Sequence, residues 1–233
     1  MKKFFLQAIA LVAVLGFATA VHAQLLDVTA PGDAISPVDL DGTVGSSPAS
    51  GNEDALHAID NVTQKYLNFG EPAGADSELN TGFIVTPTLG ATVGGTIVSG
   101  LRLFTANDAV ERDPASLRLE GSSSAAGPWT LIFEEDMLAL PGVAQTEARN
   151  AGGLVPIDPA THFHQELMFD NTTPYLSYRL VFPTVKNSPA AANSMQIAEV
   201  EFLGVAVPEP STFVLMSAGL AGLVLAARRR WAG

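Results

Sequence analysis

The chain has 233 residues, with 12 Lys and Arg against 24 Asp and Glu and a formal net charge of −12. That balance repels phosphate backbones and argues against DNA or RNA as a partner. There is no cysteine, so disulfides and thiolate metal sites are excluded, and the fold rests on its core or on a hard cation.

Met1 to Ala23 has the three parts of a secretory signal peptide: basic Lys2 and Lys3, a mostly apolar run from Phe4 to Ala18, and small residues in Val21-His22-Ala23. Cleavage after Ala23 makes Gln24 the first mature residue, with cleavage after Ala20 as the second choice, and either directs the rest out of the cytoplasm. Between Gln24 and Val207 lie seven Lys and Arg against 23 Asp and Glu, so the exported part carries about −16 over 184 residues. That length suits one domain with a sizeable core.

Leu25 to Asn52 is rich in Asp, Gly, Pro and Ser and reads as loops with one short strand near Leu25 to Thr29. From Asp54 the pattern predicts a helical turn over Ala55 to Ile59. An Asx-type loop follows at Asp60 and Asn61, whose side chains can bond their own backbone. The signals then become β: Gly82 to Pro87, Thr96 to Ala106, Leu117 to Gly121, Trp129 to Phe133, Glu166 to Phe169, Leu176 to Phe182 and Gln196 to Leu203. Tyr178, Leu180 and Phe182 share one face at period two, as do Ala198, Val200 and Phe202. Gly, Pro, Asn and Asp divide these runs, and no long amphipathic helical repeat occurs between them. The expected fold is all-β, a β-sandwich of jelly-roll type.

Groups able to carry chemistry are few. His162-Phe163-His164 places both imidazoles on one face if the segment is a strand, a pair that could bind zinc. No third ligand stands at a recognised spacing, so a solvent-facing strand edge is the favoured reading. Gly121-Ser122-Ser123-Ser124 lacks the flanks of a nucleophile elbow and reads as a hairpin loop. Glu134-Glu135-Asp136 reads as a solvated surface. Arg112-Asp113-Pro114 reads as a loop brace. Tyr66, Phe69 and Trp129 read as core aromatics rather than ligand platforms. Asn61-Val62-Thr63 and Asn171-Thr172-Thr173 match a glycosylation sequon.

The C-terminus has a different character. Val207-Pro208-Glu209-Pro210 stops any strand or helix, because proline fixes φ and has no N–H. Ser211 to Ala227 follows, 17 residues without charge, which as a helix would reach roughly 25 Å, enough for a thin hydrocarbon core. Arg228-Arg229-Arg230 then holds that end on the cytoplasmic side. Order and spacing resemble the PEP-CTERM sorting signal of Gram-negative bacteria. The resemblance implies a transmembrane helix before processing and cleavage by an exosortase. It also implies a destination at the cell surface or in the extracellular matrix, where polysaccharide is a candidate partner. The chain thus divides into a signal peptide (1–23), an exported sandwich (24–206) and a sorting signal (207–233).

The exported part resembles a discoidin or galactose-binding-like sandwich. The likeness lies in Ala58-Ile59-Asp60-Asn61-Val62-Thr63-Gln64-Lys65-Tyr66, in Gly100 to Asp108 with Arg112 to Ser116, Leu119 to Ser122 and Trp129, and in Tyr178 to Phe182 with Gln196 to Gly204. In that fold the early loop and the last strand meet around a structural calcium ion. The resemblance implies a carboxylate from Asp60, an oxygen from Asn61 or Thr63, and a second carboxylate from Glu199 beside the Ala198 carbonyl. Calcium takes six to eight hard oxygens and tolerates irregular loops. The loop departs from the family in being about one residue shorter and in carrying Lys65 where threonine is common. The favoured functional reading is an exported, exosortase-processed, non-catalytic surface protein of structural or adhesive role. A carbohydrate-binding module for exopolysaccharide is the alternative, and a hydrolase using Asp, Glu or His the third.

Overall fold

The computed structural model describes residues 25–39, 51–70, 81–137, 148–186, 192–207, 216–220 and 222–223. The signal peptide, Pro208 to Pro210 and the terminal arginines lie outside these residues, as does most of the apolar run. Among the described residues no helix is long and apolar enough to cross a membrane.

Among the described residues eleven strands form: β1 Leu26–Asp27, β2 Ala34–Asp39, β3 Tyr66–Asn68, β4 Thr81–Thr86, β5 Thr96–Phe104, β6 Ser116–Ser122, β7 Thr130–Asp136, β8 His164–Met168, β9 Ser177–Phe182, β10 Met195–Ile197 and β11 Glu199–Ala206. A short helix, α1, spans Thr88–Val93, and a 3-10 turn covers Ala55–Ala58 where the sequence predicts one; residues 216–220 and 222–223 are also helical. The strands build a four-stranded sheet in the order β1-β11-β5-β8 and a five-stranded sheet in the order β2-β4-β9-β6-β7. A two-stranded ribbon, β10-β3, stands beside them. Every ladder is antiparallel. The all-β expectation holds.

The core lies between the two larger sheets. Phe83, Tyr178, Leu180, Phe182, Leu117 and Leu119 of the five-stranded sheet join Val98, Leu101, Val200 and Phe202 of the other, all with no exposed surface. Phe202 meets Phe83 edge-on at 6.1 Å and Tyr178 at 5.8 Å. Such aromatic pairs add stabilisation beyond their buried area. The period-two faces of β9 and β11 thus point where alternation puts them. In β5 the alternation slips: Val98 and Leu101 both face inward although one is even and the other odd. The ladder with β11 passes from Leu203↔Gly100 to Gly204↔Val98, so Ser99 is an extra residue that re-aims the strand.

Two elements escape the sequence pattern. β2 forms within the segment that reads as loops, and it contains Pro37. It is an edge strand, the place where a residue without an N–H can join a ladder. The predicted run from Gln196 to Leu203 is broken at Ala198. β10 pairs with β3 while β11 pairs with β5, and one continuous strand cannot serve both. Ala198 itself donates its N–H to the Phe104 carbonyl at 3.0 Å. This change of partner sets Glu199 at the end of the sandwich, against the loop that follows the 3-10 turn.

At the opposite edge of the five-stranded sheet, β7 ends in Glu134, Glu135 and Asp136. Glu134 and Asp136 are exposed and Glu135 is half-buried. Like charges on an edge strand discourage pairing with another chain, in keeping with the solvated surface expected there. Among the described residues, the core runs from Val28 to Phe202, within the segment Gln24–Val207.

Candidate cation loop and polar cleft

Asp54 opens the 3-10 turn by accepting the N–H of Leu56, a side-chain cap that satisfies an otherwise orphaned donor. The turn ends at Ile59, and the chain enters the Asp60–Thr63 loop. Asp60 bonds its own backbone as expected, its Oδ1 accepting the Val62 N–H at 3.1 Å. Its Oδ2 lies 2.6 Å from His57 Nδ1. Asn61 adopts a left-handed conformation, φ +62°, which asparagine tolerates better than most residues. That turn aims the Asn61 N–H at Glu199 Oε2, 3.0 Å away. Thr63 is buried; its hydroxyl donates to the Gly153 carbonyl at 2.9 Å and its N–H to the Val155 carbonyl at 2.9 Å.

Glu199 is fully buried. Its Oε1 has no hydrogen-bond partner, an expensive condition for a buried polar atom. Burial pushes its carboxyl up to about 10, and the carboxylates of Asp60, Asp27 and Glu201 push in the same direction. The Asn61 N–H, second only to burial, pulls the other way. Asp27 belongs to the same acidic neighbourhood. It accepts the Phe202 N–H and both the N–H and hydroxyl of Thr29, and burial pushes it up to about 6.

A buried carboxyl with one idle oxygen, surrounded by other carboxylates, has the donor chemistry of a hard-cation site. The residues therefore fit the calcium implied by the family resemblance. Glu199 would supply one carboxylate oxygen and Asp60 the other carboxylate, with main-chain or amide oxygens from the Asn61–Thr63 loop and Ala198. Among the described residues no three His, Asp or Glu side chains are grouped so as to hold a metal. A cation here would draw mostly on main-chain oxygens. Thr63 is brought to the loop, but its hydroxyl proton is directed to Gly153.

Beside this loop lies a polar cleft of about 470 Å³, lined by Glu53, Gln64, Lys65, Asn107, Asp108 and the glycines 152 and 153. Lys65, the residue that departs from the family pattern, forms its floor. The Lys65 Nζ lies 2.8 Å from Asp108 and 3.5 Å from Glu53. Leu154, next to the cleft-lining Gly153, is 78% exposed. The cleft is assembled from four separate stretches of chain. Sequence reading notes Lys65 but has no signal for the convergence of Glu53, Asp108 and Gly153, because their spacing matches no motif.

The other candidate groups resolve plainly. His164 lies on β8 and packs on Phe104, ring centroids 5.1 Å apart. His162 lies before the strand and takes the Asp158 N–H on Nδ1. The two histidines thus hold different local contacts. Asp113 does brace a loop, but through Arg149 and Lys186 rather than Arg112. Tyr66 is core, its hydroxyl donating to the Gly82 carbonyl. Phe69 and Trp129 are half-buried, and the Arg179 guanidinium sits 5.3 Å from the centre of the Trp129 ring. Gly121 and Ser122 end β6, and Ser123 and Ser124 lie in the β6–β7 connection, as a hairpin requires.

Val207 donates its N–H to the Gly95 carbonyl. It is the last described residue before Pro208, so the sandwich runs directly into the terminal segment.

Residues 206–230 match the PEP-CTERM protein-sorting motif, which marks the chain for export to the cell envelope or surface. No curated protein matches the chain. Among solved structures, it is similar to the Clostridium perfringens module CpGH89CBM32-5, solved with GalNAc-β-1,3-galactose. The two are 14% identical, with 76% of this chain and 97% of that one covered and a TM-score of 0.46. It is also similar to the family 32 CBM of C. perfringens NanJ, solved with galactose: 12% identity, 78% and 98% coverage, TM-score 0.46. A fucolectin from the serum of striped bass, Morone saxatilis, shares 11% identity over 78% of this chain and 50% of that chain, with a TM-score of 0.42.

Proposed function

We propose that this is an exported, exosortase-processed surface protein whose sandwich is a non-catalytic module that binds extracellular polysaccharide. A calcium ion at the Asp60–Glu199 loop braces the binding end. The observation that carries this reading is the polar cleft beside the cation loop. Its side chains offer both amide donors and carboxylate acceptors within a small volume, the mixture that a ring of sugar hydroxyls requires. The exposed Leu154, which follows the cleft-lining Gly153 in the chain, would add apolar surface on which the C–H face of a sugar ring can rest. Thr63 links the two features, since its hydroxyl holds Gly153 while its loop carries Asp60 and Asn61. The ion would fix the loop, and the loop would hold one wall of the cleft.

The cleft's two carboxylates share one ammonium, an arrangement that supports recognition rather than hydrolysis by a separated acid and base. A purely structural or adhesive role, the reading favoured from sequence, gives the cleft no task. The sorting motif accounts for export under either reading.

The test is calorimetric titration of the Gln24–Val207 segment with neutral and amino-bearing oligosaccharides, in calcium and in chelator. Binding in the micromolar to millimolar range that weakens in chelator, and that Asp108→Ala abolishes, is expected. Glycan binding unaffected by Asp108→Ala would move the site elsewhere. No binding to any glycan would restore the structural reading.

A further inference from the structure

The charge of the cleft narrows the class of sugar. Lys65 is the cation among the described lining residues, and its side chain is only 9% exposed. Asp108 is 49% exposed and Glu53 is 29% exposed. The ammonium therefore lies beneath the carboxylates, and both of its Asp108 contacts are close, at 2.8 and 2.9 Å. The next cation, Arg149, reaches the Asp108 carbonyl at 3.2 Å, yet its guanidinium is held in bidentate fashion by buried Asp113. Lys186 also pairs with Asp113. A ligand entering the cleft thus meets two carboxylates over one covered ammonium. The amides of Gln64 and Asn107 are neutral. At longer range the exported part carries about −16, a field that disfavours polyanions and favours cations.

Resting on the glycan-binding reading above, we infer that the cleft selects a glycan bearing free amino groups, a polymer of unacetylated hexosamine, and rejects uronic-acid polysaccharides. The ammonium of such a sugar would replace water at Asp108 and Glu53, where an opposite charge strengthens a hydrogen bond. Its neighbouring hydroxyls would meet Gln64 and Asn107. A uronate would have to set its carboxylate against the same two side chains. An N-acetylated sugar keeps the hydroxyl contacts but loses the charge.

Full-length protein in neutral detergent is titrated with three oligosaccharides of matched length: glucosamine, N-acetylglucosamine and galacturonate. The measurements are made at about pH 6, where a sugar amine carries its proton. The expected result is at least tenfold tighter binding of the glucosamine oligomer than of its acetylated form. Raising the salt should narrow that gap, because partly exposed charges are screened. Glu53→Gln with Asp108→Asn, which keep side-chain shape and remove both negative charges, should abolish the tenfold preference for the glucosamine oligomer, and a preference that survives in this variant would overturn the inference. Equal binding of the amino and acetylated forms, or tighter binding of galacturonate, would overturn the inference and leave the glycan-binding reading standing. Failure of all three sugars would overturn both.

Discussion

Glu199 and Asn61 are 138 positions apart in sequence, yet the Asn61 N–H donates to Glu199 Oε2 at 3.0 Å, inside the protein. The contact joins the first residue of β11 to a loop that is held left-handed at Asn61. It leaves the second oxygen of Glu199 without a partner, and the expectations for the cation loop follow from that idle oxygen.

Millimolar calcium is expected to raise the melting temperature of the metal-free Gln24–Val207 segment by roughly 5–10 °C, the shift that a ligand at about a hundred times its Kd gives a domain of this size. Glu199→Gln preserves an acceptor for the Asn61 N–H and matches a protonated carboxyl in charge. It should melt within about 2 °C of the metal-free wild type and lose the calcium response. A calcium shift that survives in Glu199→Gln would remove this residue from the site.

Asp27 sets a pH dependence. Its folded value of about 6 lies above its ordinary value of 3.8, so between these values the folded chain holds a proton that the unfolded chain has released. Stability in chelator should therefore fall as pH rises from about 4 to 6, by up to roughly 3 kcal/mol from this group, and change little from it above that window. Asp27→Asn should flatten that part of the profile. Identical slopes for the two proteins in urea unfolding would contradict this assignment.

Gly82 is a point of close approach. A Cβ there would lie 1.9 Å from the Leu180 carbonyl oxygen, a main-chain atom that cannot turn aside. Gly82→Ala must push β4 away from β9 and is expected to cost about 3 kcal/mol or more, read as a lower urea midpoint. A variant as stable as wild type would mean that the two strands can separate freely.

Asp113 neutralises two cations from separate segments, Arg149 and Lys186, while nearly buried. Asp113→Ala leaves both without this partner and should destabilise the fold by roughly 3–5 kcal/mol. Arg112→Ala, whose Nε has no partner, should cost less than about 1 kcal/mol. A reversed order in thermal melts would show that the brace runs through Arg112 after all.

The sorting motif is separable from the fold. Pro208→Ala, Glu209→Ala and Pro210→Ala together should leave the sandwich's far-ultraviolet circular dichroism unchanged and cause the unprocessed, higher-mass form to accumulate in membranes. Normal processing of that triple variant would show that recognition lies in the apolar run or the arginines.

Much of this protein is local and therefore legible in its sequence. The sorting signal combines proline chemistry, an uncharged run and terminal arginines, none of which needs a tertiary partner to be recognised. The strands of the core read from period two, since Tyr178, Leu180 and Phe182 fall on one face wherever the strand is placed. Asp60 bonds to its own backbone for the same local reason.

The tertiary structure alone decided what depends on pairing. Pro37 conceals an edge strand because its place at the margin of the sheet is not written in the segment itself. The break at Ala198 arises because β10 and β11 find partners in different sheets, and a hydrophobic pattern carries no record of partners. The cleft gathers residues 53, 64, 65, 107, 108, 152 and 153 by the route of the chain between the strands. The burial of Glu199 follows in the same way: its side chain alone would favour water, and only the closing of the loop over the start of β11 withdraws it.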